Sequence, residues 1–114
     1  MELELEIEST GNDVRASGTS LQGYVKATYE ELEAVFGENI GSSDKTWNEF
    51  RADILVRDFD LETEDMVTAT IYDWKEYSPE TARTGVYEWH VGGYCIDASW
   101  YVQDLLDAHR NKHN

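Results

Sequence analysis

The strongest constraint on how this chain folds is a period of two. From Thr46 to Arg57, Phe50, Ala52, Ile54 and Val56 alternate with Glu49, Arg51, Asp53 and Arg57. Alternation puts the apolar side chains on one face and the charged ones on the other, as in a strand with one buried side. Residues 2 to 8 repeat the pattern, with Leu3, Leu5 and Ile7 facing one way and Glu2, Glu4, Glu6 and Glu8 the other. Val67 to Trp74 is a further strand, rich in β-branched and aromatic residues, and Val86 to Val91 is another. Leu21 to Ala27 reads as extended, and Val14 to Ala16 is expected to pair back after the turn at Gly11-Asn12-Asp13. Trp47 and Leu55 fall on the charged face of their strand, so that face is expected to be covered in part.

Two segments break the period. Thr28-Tyr29-Glu30-Glu31 is a capping box, with threonine at the N-cap and glutamate three residues on. Tyr29, Leu32, Val35 and Phe36 then share a helical face, and Gly37 ends the helix. A second helix is expected to start with Asp97 as its cap. Its apolar stripe is Ala98, Tyr101, Val102, Leu105, Leu106 and His109. The fold expected is a single α+β domain over 1–114, an antiparallel sheet of about five strands with both helices on one face. Residues 1–20 form an N-terminal strand extension, and 110–114 a frayed tail. The connections are too short for βαβ units.

A chain of 114 residues with 40% hydrophobic content is one self-sufficient domain. No apolar run approaches the roughly 18 residues of a membrane span. The acidic, alternating N-terminus is unlike a signal peptide. The single cysteine, Cys95, cannot form an intramolecular disulfide, which fits a reducing cytoplasm; it is expected as apolar filler beside Tyr94 and Ile96. The net charge of −15 opposes direct binding to nucleic acid or to an anionic membrane. It either keeps the protein dispersed or presents carboxylates that imitate DNA phosphates. The row Glu2, Glu4, Glu6 and Glu8, with same-face residues about 6.6 Å apart, is the candidate for such mimicry. The plainer use of the same row is a charged edge strand that resists aggregation.

Known catalytic and metal patterns are missing. Among His90, His109 and His113 there is no HExxH, and there is no CxxC. The acids Asp58, Asp60, Glu62, Glu64 and Asp65 alternate like a calcium loop but lack its glycine. Glu88, His90 and Asp73 are conceivable acid–base partners, without a nucleophile or metal beside them. No metal, no cofactor and no enzymatic activity are therefore expected.

The aromatic residues carry more information. Tyr72, Trp74, Tyr77, Tyr87, Trp89, Tyr94, Trp100 and Tyr101 crowd one region. Alternation pairs Tyr72 with Trp74 and Tyr87 with Trp89. About half should be core. The others suit stacking on a base, worth about 1–3 kcal/mol per base, or an oligomer interface. Arg51, Lys75 and Arg83 are candidates to converge on one small anion.

Three motifs in order, Thr28-Tyr29-Glu30-Glu31-Leu32 with Val35-Phe36-Gly37, Ala69-Thr70-Ile71-Tyr72-Asp73-Trp74-Lys75, and Glu88-Trp89-His90-Val91-Gly92-Gly93, resemble a widespread group of small phage-encoded proteins. The match spans roughly residues 24 to 108. The group is similar to viral anti-defence proteins, in particular anti-CBASS sponges, oligomers that sequester cyclic nucleotide signals without cleaving them. The resemblance implies ligand contacts at Tyr72, Trp74, Lys75 and His90, to which the candidate anion site adds Arg51. It also implies a homo-oligomer working in the cytoplasm of an infected bacterium. The competing expectation is an acidic DNA mimic or occluding inhibitor of a host nuclease or CRISPR effector, acting through Glu2, Glu4, Glu6 and Glu8.

Overall fold

The computed structural model describes residues 3–41 and 43–113. The protein is a single α+β domain. In chain order it contains β1 (Leu3–Thr10), a 3-10 turn (Gly11–Asp13), β2 (Ser20–Ala27), α1 (Tyr29–Phe36), β3 (Glu49–Asp58), β4 (Thr63–Tyr72), β5 (Tyr87–Gly93) and α2 (Asp97–Lys112). The strands form one sheet in the order β1-β3-β4-β5-β2, and every neighbouring pair is antiparallel.

Alternation decides which face is buried. Phe50, Ala52 and Ile54 of β3, Ala69 and Ile71 of β4, Trp89 and Val91 of β5 and Ala27 of β2 are sealed from solvent. Leu32 and Phe36 of α1 and Ala98, Val102 and Leu106 of α2 complete the same core. Both helices thus cover one face. Trp89 is the largest buried side chain, and its Nε1 donates to the carbonyl of Ala27 at 3.0 Å, so its one polar atom is satisfied. The two glycines after His90 serve opposite faces. A Cβ on Gly93 would lie 2.7 Å from Cβ of Ala98, so this glycine lets α2 press onto the sheet. A Cβ on Gly92 would lie 2.5 Å from Oγ1 of Thr70, on the open face.

Strand ends differ from the sequence reading for identifiable reasons. β3 starts at Glu49 rather than Thr46, because the backbone N–H groups of Trp47 and Asn48 turn away to the carboxylate of Asp73. β4 starts early, at Thr63, and pairs along its whole length with β3. The expected acidic turn therefore shrinks to the hairpin tip, where Asp58 Oδ1 accepts from the N–H groups of Asp60 and Leu61. Val14 to Ala16 forms no strand; Val14 is buried and its carbonyl accepts from Arg51. Asp97 is the first residue of α2 and Ile96 its N-cap, with no side-chain cap. Cys95 is exposed rather than packed.

The N-terminal segment is an integral edge of the sheet, paired with β3 from Leu3↔Asp58 to Thr10↔Ala52. A bulge between Ile7 and Ser9 removes Glu8 from the register. At the other terminus the expected fraying from residue 110 does not occur: α2 continues to Lys112. Arg110 donates to Glu31 Oε2 at 2.6 Å and to the carbonyl of Lys26 at 2.8 Å. Glu31 also completes the capping box with Thr28. One carboxylate thus joins the start of α1 to the end of α2.

The guanidinium of Arg110, aided by the N–H of Thr28, lowers the pKa of Glu31 from 4.5 to about 2 against the opposing effect of burial. A depressed carboxyl contributes stability above its unfolded pKa and loses it as pH falls towards the folded value. Glu31→Gln is expected to cost about 1 kcal/mol at pH 7, a drop of roughly 4 °C in melting temperature. The gap to wild type should narrow from pH 4.5 downward in thermal melts. A gap independent of pH would remove the ion pair from the explanation.

Candidate functional site

The face of the sheet opposite the helices is open, and cross-strand register writes two rows onto it. The first runs Glu49, Tyr72, His90, Tyr24 across β3, β4, β5 and β2. The second runs Arg51, Thr70, Gly92, Leu21. At Gly92 the space a side chain would need is filled by Thr70 and the Tyr72 ring, and Arg51, Thr70 and Leu21 of the second row line a hollow beside the aromatic rings of the first. Ala16, Thr19 and Ser20 wall it on one side, and Ser43 and Thr46 on the other. The resulting cavity has a volume of about 630 Å³.

Four of the five residues singled out for ligand binding, Arg51, Tyr72, Trp74 and His90, line this one cavity. Their rings are in mutual contact. His90 lies 5.5 Å from Tyr72, 6.0 Å from Trp74 and 4.9 Å from Tyr24, centroid to centroid. Burial in this aromatic setting lowers the pKa of His90 below the usual 6.5, over weaker opposing effects of Glu88, Asp73 and Glu76, so the imidazole is neutral at pH 7. Its Nδ1 is buried and has no hydrogen-bond partner among the described residues. Burial, with Glu49 nearby, raises the pKa of the Tyr72 phenol, which stays protonated.

Lys75 is outside the cavity. Its ammonium lies over the outer part of the lip, 5.6 Å from the ring centroid of Trp74, and the ammonium of Lys45 lies at the same distance. Both lysines line a smaller adjoining groove with Trp47 and the carboxylates of Asp44 and Glu76. Neither has an ion-pair partner among the described residues. Arg51 is paired, through its Nε, with Glu49 Oε2 at 2.5 Å. Arg83 does not join it. The Arg83 guanidinium stacks 5.1 Å from the centroid of Tyr29, and its Nε donates to Asn48 Oδ1. The expected three-cation anion site is therefore not assembled.

A buried polar hub holds the lip in place. Asp73 is fully buried; Oδ1 accepts from the N–H groups of Trp47 at 2.8 Å and Asn48 at 3.0 Å, and Oδ2 from Asn48 Nδ2 at 3.0 Å. Asn48 Nδ2 also donates to the carbonyl of Pro79, while its Oδ1 accepts from Asn39 and Arg83. All four hydrogen-bonding positions of the Asn48 amide are thereby used. The hub ties the segment 39–48 to the segment 73–83. Next to it Lys75 takes a left-handed backbone, φ 55°, with its N–H donating to the carbonyl of Lys45 at 2.9 Å. Trp74 is held between these two anchors.

Of the acid–base trio, Asp73 is engaged by the hub, and Glu88 and Asp73 act on His90 only as charges weaker than the effect of its burial. The glutamate row is likewise not a free ladder. Arg57 donates to both Glu4 and Glu6, and its Nε to Glu64 at 2.8 Å. Glu8 sits at the bulge, and Glu2 lies outside the described residues.

Sequence reasoning missed Glu49, Thr70, Tyr24 and Lys45. Glu49 and Thr70 carry a usable signal, since each stands two residues from a chosen residue on the same face. Tyr24 and Lys45 enter only through strand order and loop path, for which no local pattern exists. No protein-family model, curated protein or solved structure matches the chain, so the phage-protein resemblance rests on its motifs alone.

Asp73→Ala leaves two backbone donors and one amide donor unsatisfied in a buried position. A loss of about 3 kcal/mol or more is expected, measured by urea denaturation, together with a red shift of Trp fluorescence as the lip opens. A loss below about 1 kcal/mol would show that the hub does not organise these loops.

Proposed function

We propose that the protein binds a cyclic nucleotide signal in the open-face cavity and sequesters it without cleavage. In this reading it is a phage-encoded anti-defence protein at work in the cytoplasm of the infected bacterium. The observation that carries the reading is the junction of an aromatic hollow with two ammonium groups that have no ion-pair partner among the described residues, in a chain whose net charge is −15. An acidic protein has no general affinity for phosphate, so a nucleotide needs a local site. Lys45 and Lys75 at the lip supply the charge, and counter-ions screen the carboxylates lying more than about 8 Å away. The hollow is within the range of about 300–1,000 Å³ typical of small-molecule sites. Tyr72, Trp74 and His90 present ring surface and edges for a base.

Sequestration fits better than turnover. His90 is neutral and held among aromatic rings, and its buried Nδ1 has no hydrogen-bond partner among the described residues. The mimicry reading is less well supported, because Arg57 spans Glu4 and Glu6 and neutralises part of the row.

The test is a thermal-shift series with cyclic di- and trinucleotides and cyclic ADP-ribose products, with double-stranded DNA as the control. A ligand at 100 times its Kd adds about 2.7 kcal/mol of stability, several degrees in melting temperature. Trp74→Ala should weaken binding by roughly 5- to 100-fold, the equivalent of one stacked base. The Lys45→Ala/Lys75→Ala double variant should weaken it and flatten its salt dependence. Absence of a shift with every nucleotide, or a shift untouched by Trp74→Ala, would refute the proposal.

A further inference from the structure

The cavity contains one carboxylate, and its placement bears on which base can occupy the hollow. Glu49 and Arg51 lie two residues apart on β3, on the open face, and both line the cavity. Arg51 Nε occupies Oε2 of Glu49, and Arg51 Nη1 reaches the carbonyl of Val14 at 3.3 Å. These bonds fix the two side chains with respect to each other. Oε1 of Glu49 and the Nη2 donors of Arg51 have no partner among the described residues. The cavity wall thus presents an acceptor-only group directly beside a donor-only group. Thr70 lies next to Arg51 in the same row and lines the cavity with it, between the pair and the rings of Tyr72 and His90, so that a flat ring can rest against Thr70 with its edge towards the pair.

We infer that Glu49 and Arg51 read the edge of the bound base and select a guanine-type ring, one that carries a carbonyl beside two N–H donors. The inference rests on the nucleotide reading above and deepens it. On guanine the carbonyl O6 accepts from Arg51, while N1–H and the N2 amino group donate together to the carboxylate of Glu49. Hypoxanthine keeps the carbonyl and N1–H but lacks the amino group, so it makes one bond fewer. Adenine presents an amino group beside a ring acceptor. It can satisfy each side chain once, and it cannot engage the carboxylate through two donors. Uracil and cytosine have less ring to rest against Thr70 and likewise offer no paired donors beside a carbonyl. A site built to accept particular N–H groups rejects an analogue without them, because its own polar atoms are then left unpaired in a partly dry setting. Glu49 and its partner are well placed for this: their side chains are only 16% and 29% exposed.

The experiment is isothermal titration of the intact protein with GMP, IMP and AMP, in one buffer at fixed salt. GMP is expected to bind more tightly than IMP and at least tenfold more tightly than AMP. Glu49→Gln replaces one carboxylate oxygen by an amide donor that opposes N1–H, and should reduce the GMP to AMP ratio below about threefold. Circular dichroism and the melting temperature of the variant report whether it is folded. The series GMP, IMP and AMP on the wild-type protein tests the inference independently of any variant. AMP binding as tightly as GMP, or a GMP preference that survives Glu49→Gln, would overturn the base assignment and leave nucleotide binding standing. Binding of none of the three, with no response to the cyclic nucleotides either, would overturn both.

Discussion

The pairing of Asp73 with Asn48 is the interaction on which the rest of the site depends. Burying a carboxylate is costly unless its oxygens are engaged, and here three N–H donors from residues 47 and 48 meet them. Because these donors are used, β3 cannot begin before Glu49 and β4 cannot continue past Tyr72. Both chains leave the sheet at the same level, and their departing segments become the lip of the cavity. Trp74, Lys75 and Lys45 owe their positions to this exit. A local polar contact thus determines where aromatic and cationic groups meet.

The sheet supplies the other half of the construction. A five-stranded antiparallel sheet with helices on one face leaves the other face free. On that face side chains stand in cross-strand rows, with neighbours in a row about 4.8 Å apart. Taller aromatic side chains in the row of Tyr72 and His90, next to the shorter Thr70 in the following row, border the hollow on this face. The two adjacent glycines divide the labour. Gly93 admits the helix on the buried face, and Gly92 makes room for Thr70 and the Tyr72 ring on the open face. A side chain at either position would collide with a neighbour.

Charge is distributed in a way that net charge does not convey. Arg57 is taken up by Glu4, Glu6 and Glu64, and Arg110 by Glu31. Arg51 is taken up by Glu49. Six Lys and Arg side chains make no ion pair among the described residues, and two of them, Lys45 and Lys75, flank the same indole. The class of fold and the buried faces were legible in the sequence because alternation and the Thr28 capping box are local patterns. The aromatic members of the site were legible for a related reason: Tyr72 and His90 fall on the face opposite the buried Ile71 and Trp89. The role of Asp73 was not legible. A carboxylate beside aromatic residues looks available for chemistry until its three donors are known, and these come from a segment 25 residues or more away in sequence. The outlying position of Lys75 was hidden for the same reason, since period-two reasoning ends where the strand ends, at Tyr72. The Arg57 clamp across Glu4 and Glu6 depends on a pairing of β1 with β3 that joins residues more than 50 apart.

The most direct test of the central claim, that the open sheet face is a nucleotide site, is a crystal structure of the protein grown with the cyclic nucleotide that gives the largest thermal shift. The expected density shows a base lying over Thr70 beside Tyr72 and His90, with phosphate within reach of Lys45 or Lys75. A nucleotide bound elsewhere on the molecule, with this hollow filled only by solvent, would contradict it.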